Sequence, residues 1–427
     1  STTNQGTGPM TIQSEPKKII VYSHDTFGLG NIRRMLAIAQ SLVNTDPNVS
    51  VLILSGSPML HAFRIPERVD YIKLPCLSRT TKGDYTVKFL EMGYEQLVKL
   101  RSNIILSAVL DFDPDLILVD KKPYGVSDEL GAVLNLMQKR GHKAKLVLLL
   151  RDILDSPEKT IPVWKKNGYH AAIQSHYDKV LVVGSPEIYD MRKEYEFPKE
   201  SHHKVHFCGY IARERSEKRV GEIREQIGCT EDRLVLVTAG GGEDGYQLLH
   251  SYLQGLTQRD LGDNTKTLMI CGPEMSETRR LQIENLARSC RKVVIQEFTS
   301  DMMACIEAAD LVISMGGYNT ICELLTLRKR AIIVPRVNPA QEQWIRAERL
   351  ASLGLIRAIH PNNLTPNTLM NMVGEELCRA NVHSSRLYQI DMGGLLRINE
   401  SITDLLYECA GRLNTKRQTF NRGVFTD

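Results

Sequence analysis

The fold of this chain is decided around residues 309–323, which have the sequence A-D-L-V-I-S-M-G-G-Y-N-T-I-C-E. Residues 311–313 form a short apolar run that predicts a buried β-strand. Gly316 and Gly317 interrupt this run and predict a turn. The apolar residues that follow recur at helical spacing: Ile321, Leu324, Leu325 and Leu327. The stretch therefore predicts a strand, a glycine turn and a helix.

The start of this predicted helix is a candidate anion site, because its first N–H groups are unpaired and the helix dipole adds positive charge. Glu323 lies one turn into the helix, where its carboxylate could accept hydrogen bonds from a sugar diol. The same residues also fit another interpretation. Thr320 and Glu323 have the spacing of a capping box, in which both side chains bond to the helix's own N–H groups. The stretch alone leaves both interpretations open.

Composition is that of a soluble globular protein. The 427 residues suffice for two or three domains, and 42% of them are hydrophobic and 24% charged. A net charge of +4 is too small to indicate nucleic-acid binding, although it allows a basic patch facing phosphates or an anionic membrane. The nine cysteines include no C-x-x-C pair, which disfavours zinc sites and disulfides. We expect a cytoplasmic protein, with peripheral contact to the inner face of a membrane left open.

The first half of the chain alternates strands and helices. Residues 1–15 lack periodicity and are predicted to be disordered. A strand at 19–22, a helix at 32–43 and a strand at 49–54 form a βαβ unit, which implies a parallel sheet. Further strands are predicted at 116–119, 146–150 and 180–183, with helices around 87–110, 129–139 and 186–193. This alternation predicts one doubly wound domain over residues 16–211.

A second alternating series predicts another Rossmann-like domain over residues 217–383. Its predicted strands are 234–238, 267–271, 292–296, 311–314 and 331–334, and a helix is predicted at 246–256. The tail at 384–413 predicts helices, and 414–427 is left as a terminal tail. Two such domains in tandem are expected to bind ligands at the carboxyl ends of their strands.

Two glycine-rich loops follow first strands, but neither fits an NAD site. Gly28-Leu29-Gly30 lacks the third glycine of the dinucleotide fingerprint, and the second strand ends in Ser55-Gly56 rather than in an acidic residue. A dehydrogenase is therefore disfavoured. The loop Gly240-Gly241-Gly242 could let phosphate oxygens approach the backbone, or it could simply form a tight strand-to-helix turn.

Residues 296–323 carry a family resemblance. Their sequence, Q-E-F-T-S-D-M-M-A-C-I-E-A-A-D-L-V-I-S-M-G-G-Y-N-T-I-C-E, is followed by A-I-I-V-P-R at 331–336 and Q-E-Q-W-I-R-A at 341–347. This series resembles the donor half of MurG-type glycosyltransferases, and the loop at 28–30 extends the resemblance loosely to the whole chain. It implies the GT-B fold: two doubly wound, Rossmann-like α/β domains facing a central cleft, with a C-terminal helix crossing back onto the N-terminal domain. It also implies that no metal ion is needed.

The resemblance assigns roles to residues of the second domain. It implies that Phe298 and the backbone of Thr299 hold the nucleotide base, and that Glu323 binds the ribose. Glu342 and Gln343 would face the donor sugar or its phosphates, and Arg336 could add a cation. The residues expected to border the diphosphate are Gly240, Gly241, Gly242, Gly316, Gly317, Asn319 and Thr320.

The chain departs from the family at its first glycine loop. The family places a histidine, commonly drawn as the base, where this chain has Asn31. An amide cannot accept a proton, so three interpretations compete. His24 or Asp25 could be the base, Asn31 could orient the acceptor while Asp152 acts as base, or the chain could be catalytically impaired.

Several residues of the first domain are candidates for the acceptor side. Gly28 and Gly30 belong to the first loop, while Lys121, Lys122 and Arg151 directly follow predicted strands. Because strand ends line ligand sites in open α/β sheets, these cations could face an acceptor. Simple solvation at the surface is the alternative.

The sequence therefore predicts a metal-independent, inverting glycosyltransferase without a cofactor. A nucleotide-sugar, UDP-linked by resemblance, would be the donor. The acceptor is open between a polysaccharide, a lipid-linked molecule and a small molecule, and no nucleic-acid partner is expected. A nucleotide-sugar epimerase of the same architecture and a non-catalytic partner subunit that binds sugar nucleotides are the alternatives.

Overall fold

The structure is a computed structural model that describes residues 15–24, 30–80, 84–240, 243–379 and 389–420. Its strands are β1 (Lys17–Tyr22), β2 (Val49–Ser55), β3 (Val69–Lys73), β4 (Leu77–Arg79), β5 (Tyr85–Val87), β6 (Leu116–Asp120), β7 (Lys145–Arg151), β8 (Lys179–Val183), β9 (Val205–Phe207), β10 (Arg233–Thr238), β11 (Thr265–Ile270), β12 (Val293–Gln296), β13 (Leu311–Ser314), β14 (Ala331–Ile333) and β15 (Arg357–Ala358). Its helices are α1 (Gly30–Thr45), α2 (Tyr94–Phe112), α3 (Gly131–Arg140), α4 (Pro157–Lys166), α5 (Tyr169–His176), α6 (Met191–Glu194), α7 (Val220–Gln226), α8 (Tyr246–Gln258), α9 (Glu277–Ala287), α10 (Met302–Ala308), α11 (Tyr318–Leu327), α12 (Glu342–Ser352), α13 (Pro366–Cys378) and α14 (Gly394–Phe420).

Most strands lie in two sheets. One has seven strands in the order β3-β2-β1-β6-β7-β8-β9, and the other has six in the order β12-β11-β10-β13-β14-β15. The central pairs β1–β6 and β10–β13 are parallel, as βαβ connections require. Strands β4 and β5 form a separate antiparallel hairpin. The predicted α/β class with two parallel sheets is confirmed.

The chain divides into two compact units, each assembled from segments that are distant in sequence. The first unit contains Ser1–Leu150, Gly168–Leu181 and Leu395–Asp427, and the second contains Arg151–Asn167 and Val182–Gly394. The predicted domains include the return of the C-terminal helix to the N-terminal domain, but they do not include the assignment of Arg151–Asn167 to the second unit. Periodicity identifies elements but cannot tell which distant segments pack together.

The first unit packs α1 against the strands β2 and β3. Residues 19–22 of β1 are buried, as expected for a central strand of a parallel sheet. The apolar face predicted for α1 is also buried and comprises Ile32, Met35, Leu36, Ala39, Leu42 and Val43. Burial of this apolar face is the main contribution that holds α1 on the sheet.

The long helix α14 belongs to this first unit. Asn399 Nδ2 donates to Thr45 Oγ1 at 3.1 Å, and Tyr407 Oη donates to Asp46 Oδ2 at 2.5 Å, so α14 is tied to the C-terminal end of α1. The predicted helical tail at 384–413 overlaps α14, although residues 384–388 lie outside the described residues. Across the described ranges, no helix has both the length and the apolar character that crossing a membrane requires.

The second unit has its core between the sheet and the helices α8 and α13. The core residues include Val235 and Met269 from neighbouring strands, Leu249 from α8 and Leu369 from α13, and all are fully buried. Strand β13 continues this core through Ile313. The carboxyl ends of β10, β13 and β14 are thereby held at one edge of a rigid sheet.

Local predictions differ from the structure in several places. The helix predicted at 186–193 is only α6. The helix predicted at 87–110 begins only at Tyr94, because Val87 belongs to β5 and residues 88–93 are not helical. Strand β3 was not predicted. It pairs at the sheet edge and is largely half-exposed, so its sequence V-D-Y-I-K lacks the continuous apolar run of a buried strand.

Candidate functional site

The turn between β13 and α11 requires glycine at position 316. Gly316 has a φ of +74°, and a Cβ added there would lie 2.4 Å from Ile333 Cγ2. Its N–H donates to Ser314 Oγ at 3.2 Å, which closes the turn. Gly317 follows with ordinary backbone angles, and α11 begins at Tyr318. The predicted strand, glycine turn and helix are thus present.

The capping-box interpretation of Thr320 and Glu323 is wrong. The residue that precedes α11 is Gly317, so Thr320 lies inside the first turn and cannot cap the helix. Gly317 itself has no side chain with which to cap this end of α11. Because the first N–H groups of a helix lack intrahelical partners and carry partial positive charge, this end can bind an anion.

Arg213 adds a cation beside this helix start. Its Nη2 donates to Asn319 Oδ1, and its backbone N–H donates to Thr326 Oγ1 at 3.1 Å. Asn319 is the second residue of α11, so the guanidinium lies next to the uncapped turn. Sequence analysis missed Arg213, because this residue lies far from α11 in the chain and no periodic pattern links them.

Gln343 and Arg336 also lie near the glycine turn. Gln343 Oε1 accepts the Arg336 backbone N–H at 3.2 Å, and a Cβ added at Gly317 would lie 3.9 Å from Gln343 Nε2. The Arg336 guanidinium pairs with Asp244 at 3.3 Å. A cavity of about 220 Å³ opens here, lined by Asp244, Gln247, Leu248, Met315, Val334, Pro335, Arg336, Val337, Asn338, Pro361 and Leu364. The structure therefore brings Gly317, Gln343 and Arg336 together.

Glu342 is turned inward, away from the role expected for it. Its Oε2 accepts from Arg346 Nη1 at 2.6 Å, and Arg346 is 0% exposed. The Arg346 guanidinium also donates to both carboxylate oxygens of Asp152, each at 2.9 Å. Burial alone would lower the pKa of Arg346, but the Asp152 and Glu342 carboxylates raise it well above its usual range. These three side chains form a buried ion cluster.

The same contacts do not favour Asp152 as a catalytic base. Besides Arg346, its Oδ2 accepts from Tyr210 Oη at 2.9 Å, and its Oδ1 accepts from the Ile153 N–H at 2.8 Å. Both oxygens are occupied, and the side chain is buried.

The ion cluster reaches the first residue of α11. The Arg346 guanidinium lies 5.2 Å from the centre of the Tyr318 ring, and Tyr318 Oη donates to the Val183 carbonyl at 3.1 Å. The guanidinium of Arg151 lies 5.9 Å from the same ring. Arg151 was predicted on the acceptor side, but here it lies beside Tyr318, at the start of α11.

In the first unit, His24 is buried at the end of β1, with 1% of its surface exposed. Its Nε2 lies 3.1 Å from Tyr85 Oη, while its Nδ1 has no hydrogen-bond partner among the described residues. Burial, and then the charges of Lys121 and Lys122, hold the pKa of His24 well below its usual range. The imidazole is therefore neutral near neutral pH.

Asn31 is held by the backbone of the same strand end. Its Nδ2 donates to the His24 carbonyl at 3.1 Å, and its Oδ1 accepts from Arg34 Nη2 at 3.2 Å. Arg34 also pairs with Asp120 at 3.2 Å, and Asp120 accepts the His24 N–H. Asn31 thus helps to fix the position of His24. This arrangement fits the interpretation that His24, rather than Asn31, is the base.

Of the other predicted donor residues, Gly240 has a φ of +67° and its N–H donates to Thr238 Oγ1. Phe298 is 62% exposed, which leaves its ring open to a ligand. Thr299 Oγ1 accepts the Asp301 N–H at 3.2 Å. The predicted residues Asp25, Gly28, Gly241 and Gly242 lie outside the described residues.

On the acceptor side, Gly30 starts α1, and Lys121 and Lys122 directly follow β6 in the first unit. Lys122 contacts the ring of Tyr85. In the part of the chain that the structure describes, no group of three or more His, Cys, Asp or Glu side chains could hold a metal ion. The expectation of a metal-independent site remains a prediction.

Comparison with known proteins agrees with this geometry. Residues 234–385 match the model of the Glycosyltransferase family 28 C-terminal domain. A relative from Haemophilus influenzae, UDP-N-acetylglucosamine–N-acetylmuramyl-(pentapeptide) pyrophosphoryl-undecaprenol N-acetylglucosamine transferase, is 30% identical over 36% of this chain and 42% of its own length. The chain thus spans about half or less of the length of such curated relatives.

Solved structures extend the likeness to the fold of nearly the whole chain. MurG of Acinetobacter baumannii is 16% identical, with a TM-score of 0.60 over 92% of this chain and 100% of its own. The glycotransferase of kitacinnamycin is 15% identical, with a TM-score of 0.63 over 92% and 100%. These likenesses show the predicted GT-B fold class.

Within that class, the segment 234–385 is similar to the C-terminal domain of family 28 glycosyltransferases. The MurG-like resemblance that the sequence predicted is confirmed.

Proposed function

We propose that this protein is a glycosyltransferase that moves a sugar from a nucleotide-sugar to an acceptor hydroxyl. The proposal rests on the start of α11. This helix end directly follows Gly316 and Gly317, and the Arg213 guanidinium lies beside it. These groups suit a diphosphate, because N–H donors and a cation converge on one small region. This region lies within the segment that the family model matches.

The donor we propose is a UDP-sugar. The name of the Haemophilus influenzae relative includes a UDP-linked sugar, and the similarity covers the segment with the glycine turn. The exposed ring of Phe298 can stack on the base, and Glu323 can accept hydrogen bonds from the ribose hydroxyls.

The chemistry we propose is an in-line displacement that inverts the anomeric carbon. As the acceptor oxygen bonds to that carbon, the bond from the carbon to the diphosphate breaks and its electron pair leaves with the diphosphate. Negative charge then grows on the leaving group. The N–H groups of α11 and the Arg213 guanidinium can stabilise this charge without a metal ion, because they are already oriented.

We propose His24 as the base that takes the proton of the acceptor hydroxyl. Its imidazole is neutral, and its buried Nδ1 has no hydrogen-bond partner among the described residues, whereas Asn31 cannot accept a proton. Asp152 is engaged by Arg346 and Tyr210. The inward position of Glu342 also weakens the epimerase alternative, since that chemistry requires carboxylates directed at the sugar.

The donor site can be tested through Glu323. Replacing Glu323 with alanine should weaken UDP binding by about 1–3 kcal/mol, because a hydrogen bond to a charged group is lost. Calorimetric titration of UDP measures this change. Glu348→Ala, at an exposed position on α12, is the matched control and should leave the affinity unchanged. Equal UDP affinity in both variants, or no UDP binding by the wild type, would contradict the proposal.

The base can be tested by activity. His24→Gln should lower kcat for transfer or donor hydrolysis by about 10²–10⁴-fold, the usual contribution of a positioned base, while UDP affinity is retained. Asn31→His should not raise the activity, because Asn31 is engaged with the His24 carbonyl and Arg34. An activity that appears only in Asn31→His would show instead that the natural chain is catalytically impaired.

A further inference from the structure

One carboxylate connects the starts of two helices in the second unit. Asp155 Oδ1 accepts the backbone N–H of Ser156 at 2.7 Å and the backbone N–H of Gln341 at 3.0 Å. Ser156 directly precedes α4, and Gln341 directly precedes α12. The partial positive charge of a helix start favours a carboxylate at such a place. Asp155 therefore links α12 to a segment 186 residues earlier in the chain.

Two further contacts join the same parts of the chain. Lys159 Nζ, on α4, donates to the Pro339 carbonyl at 2.6 Å. The Asp152 carboxylate accepts from Arg346, on α12, at 2.9 Å. The loop between β14 and α12 and the first turns of α12 are therefore held by residues 152–159.

The backbone that carries Asp155 is itself held in place by Tyr195. The Tyr195 hydroxyl accepts the Leu154 N–H at 2.9 Å and donates to the Asp155 carbonyl at 2.7 Å. Tyr195 is buried, so these hydrogen bonds do not compete with bulk water. Asp155 therefore reaches Gln341 from a fixed stretch of backbone.

Stability of the fold does not require this carboxylate. Gln341 is exposed, and water can satisfy an exposed N–H at a helix start. The buried pair of Asp152 and Arg346 already attaches α12 to the segment. The contact with Asp155 instead fixes the position at which α12 begins.

Gln343 is the side chain whose place depends on this position. It is the second residue of α12, and its Oε1 accepts the Arg336 backbone N–H at 3.2 Å. Nε2 is then the end of the amide that faces Gly317, where an added Cβ would lie 3.9 Å from it. An amide nitrogen there can donate to an oxygen of a diphosphate at the glycine turn. Because hydrogen bonds extend to only about 3.2 Å, a shift of α12 by about 1 Å would lose this contact.

We propose that Asp155 is a positioning residue for the donor, and that it holds the start of α12 so that the Gln343 amide binds the diphosphate. This inference rests on the proposed function, because it takes the diphosphate to bind at the start of α11. Asp155 and Lys159 lie outside the segment 234–385 that the family model matches. The donor site is therefore completed by a part of the chain that this domain does not include.

Calorimetric titration of the full chain with UDP tests this role. Asp155→Ala should weaken the UDP affinity by about three- to tenfold, because the start of α12 is no longer fixed. Asp155→Asn should keep the affinity within about twofold, since the amide Oδ1 can still accept both N–H groups. Glu158→Ala, at an exposed position of α4, is the matched control and should leave the affinity unchanged.

A second variant covers the case in which Asp155→Ala does not fold. Lys159→Met removes the contact with the Pro339 carbonyl from an exposed position of α4, so the fold should tolerate it. It should weaken the UDP affinity in the same direction as Asp155→Ala. Wild-type affinity in Lys159→Met or in Asp155→Ala overturns the inference, as does an equal loss in Asp155→Asn and Asp155→Ala.

A double-mutant cycle separates positioning from a general effect on the fold. Gln343→Ala removes the amide that Asp155 is proposed to place, so it should weaken the UDP affinity by itself. Asp155→Ala added to Gln343→Ala should then cause little further loss. A full further loss, or unchanged affinity in Gln343→Ala, overturns the inference and leaves UDP binding by the wild type and the proposed function intact. If the wild type does not bind UDP, the proposed function fails, and the role of Asp155 fails with it.

Discussion

Replacing Arg346 with methionine should lower the free energy of unfolding by about 3–5 kcal/mol, a large share of the stability of a typical protein. The guanidinium neutralises two carboxylates, Asp152 and Glu342, and all three side chains are buried. Methionine has similar volume but no charge, so the loss comes from two carboxylates left buried without a partner. The hydrophobic contacts change little by comparison.

Urea unfolding of the wild type and the variant measures this loss. Arg349→Met is the matched control, because Arg349 lies on the same helix and pairs with Glu194 at 2.8 Å, but both side chains are partly exposed. An exposed pair of this kind contributes about 1 kcal/mol or less. Similar losses in the two variants would show that the buried ion cluster around Arg346 stabilises the protein no more than an exposed ion pair does.

A partial rescue separates charge from size. Asp152→Asn together with Glu342→Gln removes both uncompensated carboxylates from the Arg346→Met background. The triple variant should therefore be more stable than Arg346→Met alone. If the triple variant is less stable than the single variant, packing rather than charge explains the role of Arg346.

The second prediction contrasts the two glycines before α11. Gly316→Ala should destabilise the protein, because a left-handed backbone costs about 1–2 kcal/mol for any residue with a Cβ. The new Cβ would also lie 2.4 Å from Ile333 Cγ2, and overpacking of this kind typically costs about 1–3 kcal/mol. Since Ile333 is buried in β14, neither group has room to move.

Gly317→Ala should instead preserve stability and remove binding. Gly317 has a φ of −57°, and the nearest atom to an added Cβ is Gln343 Nε2 at 3.9 Å. Alanine therefore fits the free protein. The methyl group would stand where the proposed site brings the phosphate oxygens close to the backbone, so UDP affinity should fall by about tenfold or more.

Thermal unfolding and calorimetric titration of UDP, measured on both variants, check this contrast. The expected result is a lower melting temperature for Gly316→Ala only, and a weaker UDP affinity in Gly317→Ala without loss of stability. Undiminished UDP binding by a stable Gly317→Ala would place the diphosphate elsewhere on the protein.

The central strands were predictable from sequence because burial on both faces leaves a continuous apolar run. Strands β1, β7 and β13 were predicted on that basis, and their residues are almost completely buried. Edge elements lack this pattern. Strand β3 and the hairpin of β4 and β5 are partly exposed, so polar residues interrupt the apolar run that would identify them as strands.

The candidate site was predictable only where it is local in sequence. The glycine turn and the start of α11 lie in one stretch, and the residues that shape them are neighbours. Arg346 and Asp152 are 194 residues apart, and Arg213 and Asn319 are 106 apart. Sequence periodicity contains no information about such distant pairs. The inward orientation of Glu342 and the contact of Arg213 with Asn319 could therefore be found only in the structure.

The interleaved path of the chain limits how the protein can be dissected. A fragment that starts at residue 217 would contain the whole sheet of the second unit, yet it would lack the segment Arg151–Asn167. Arg346 would then have lost Asp152, and Tyr318 would have lost the Val183 carbonyl. The second unit therefore cannot be moved as one continuous piece of chain. Exchanging it between related chains should succeed only when Arg151–Asn167 and Val182–Gly394 are exchanged together.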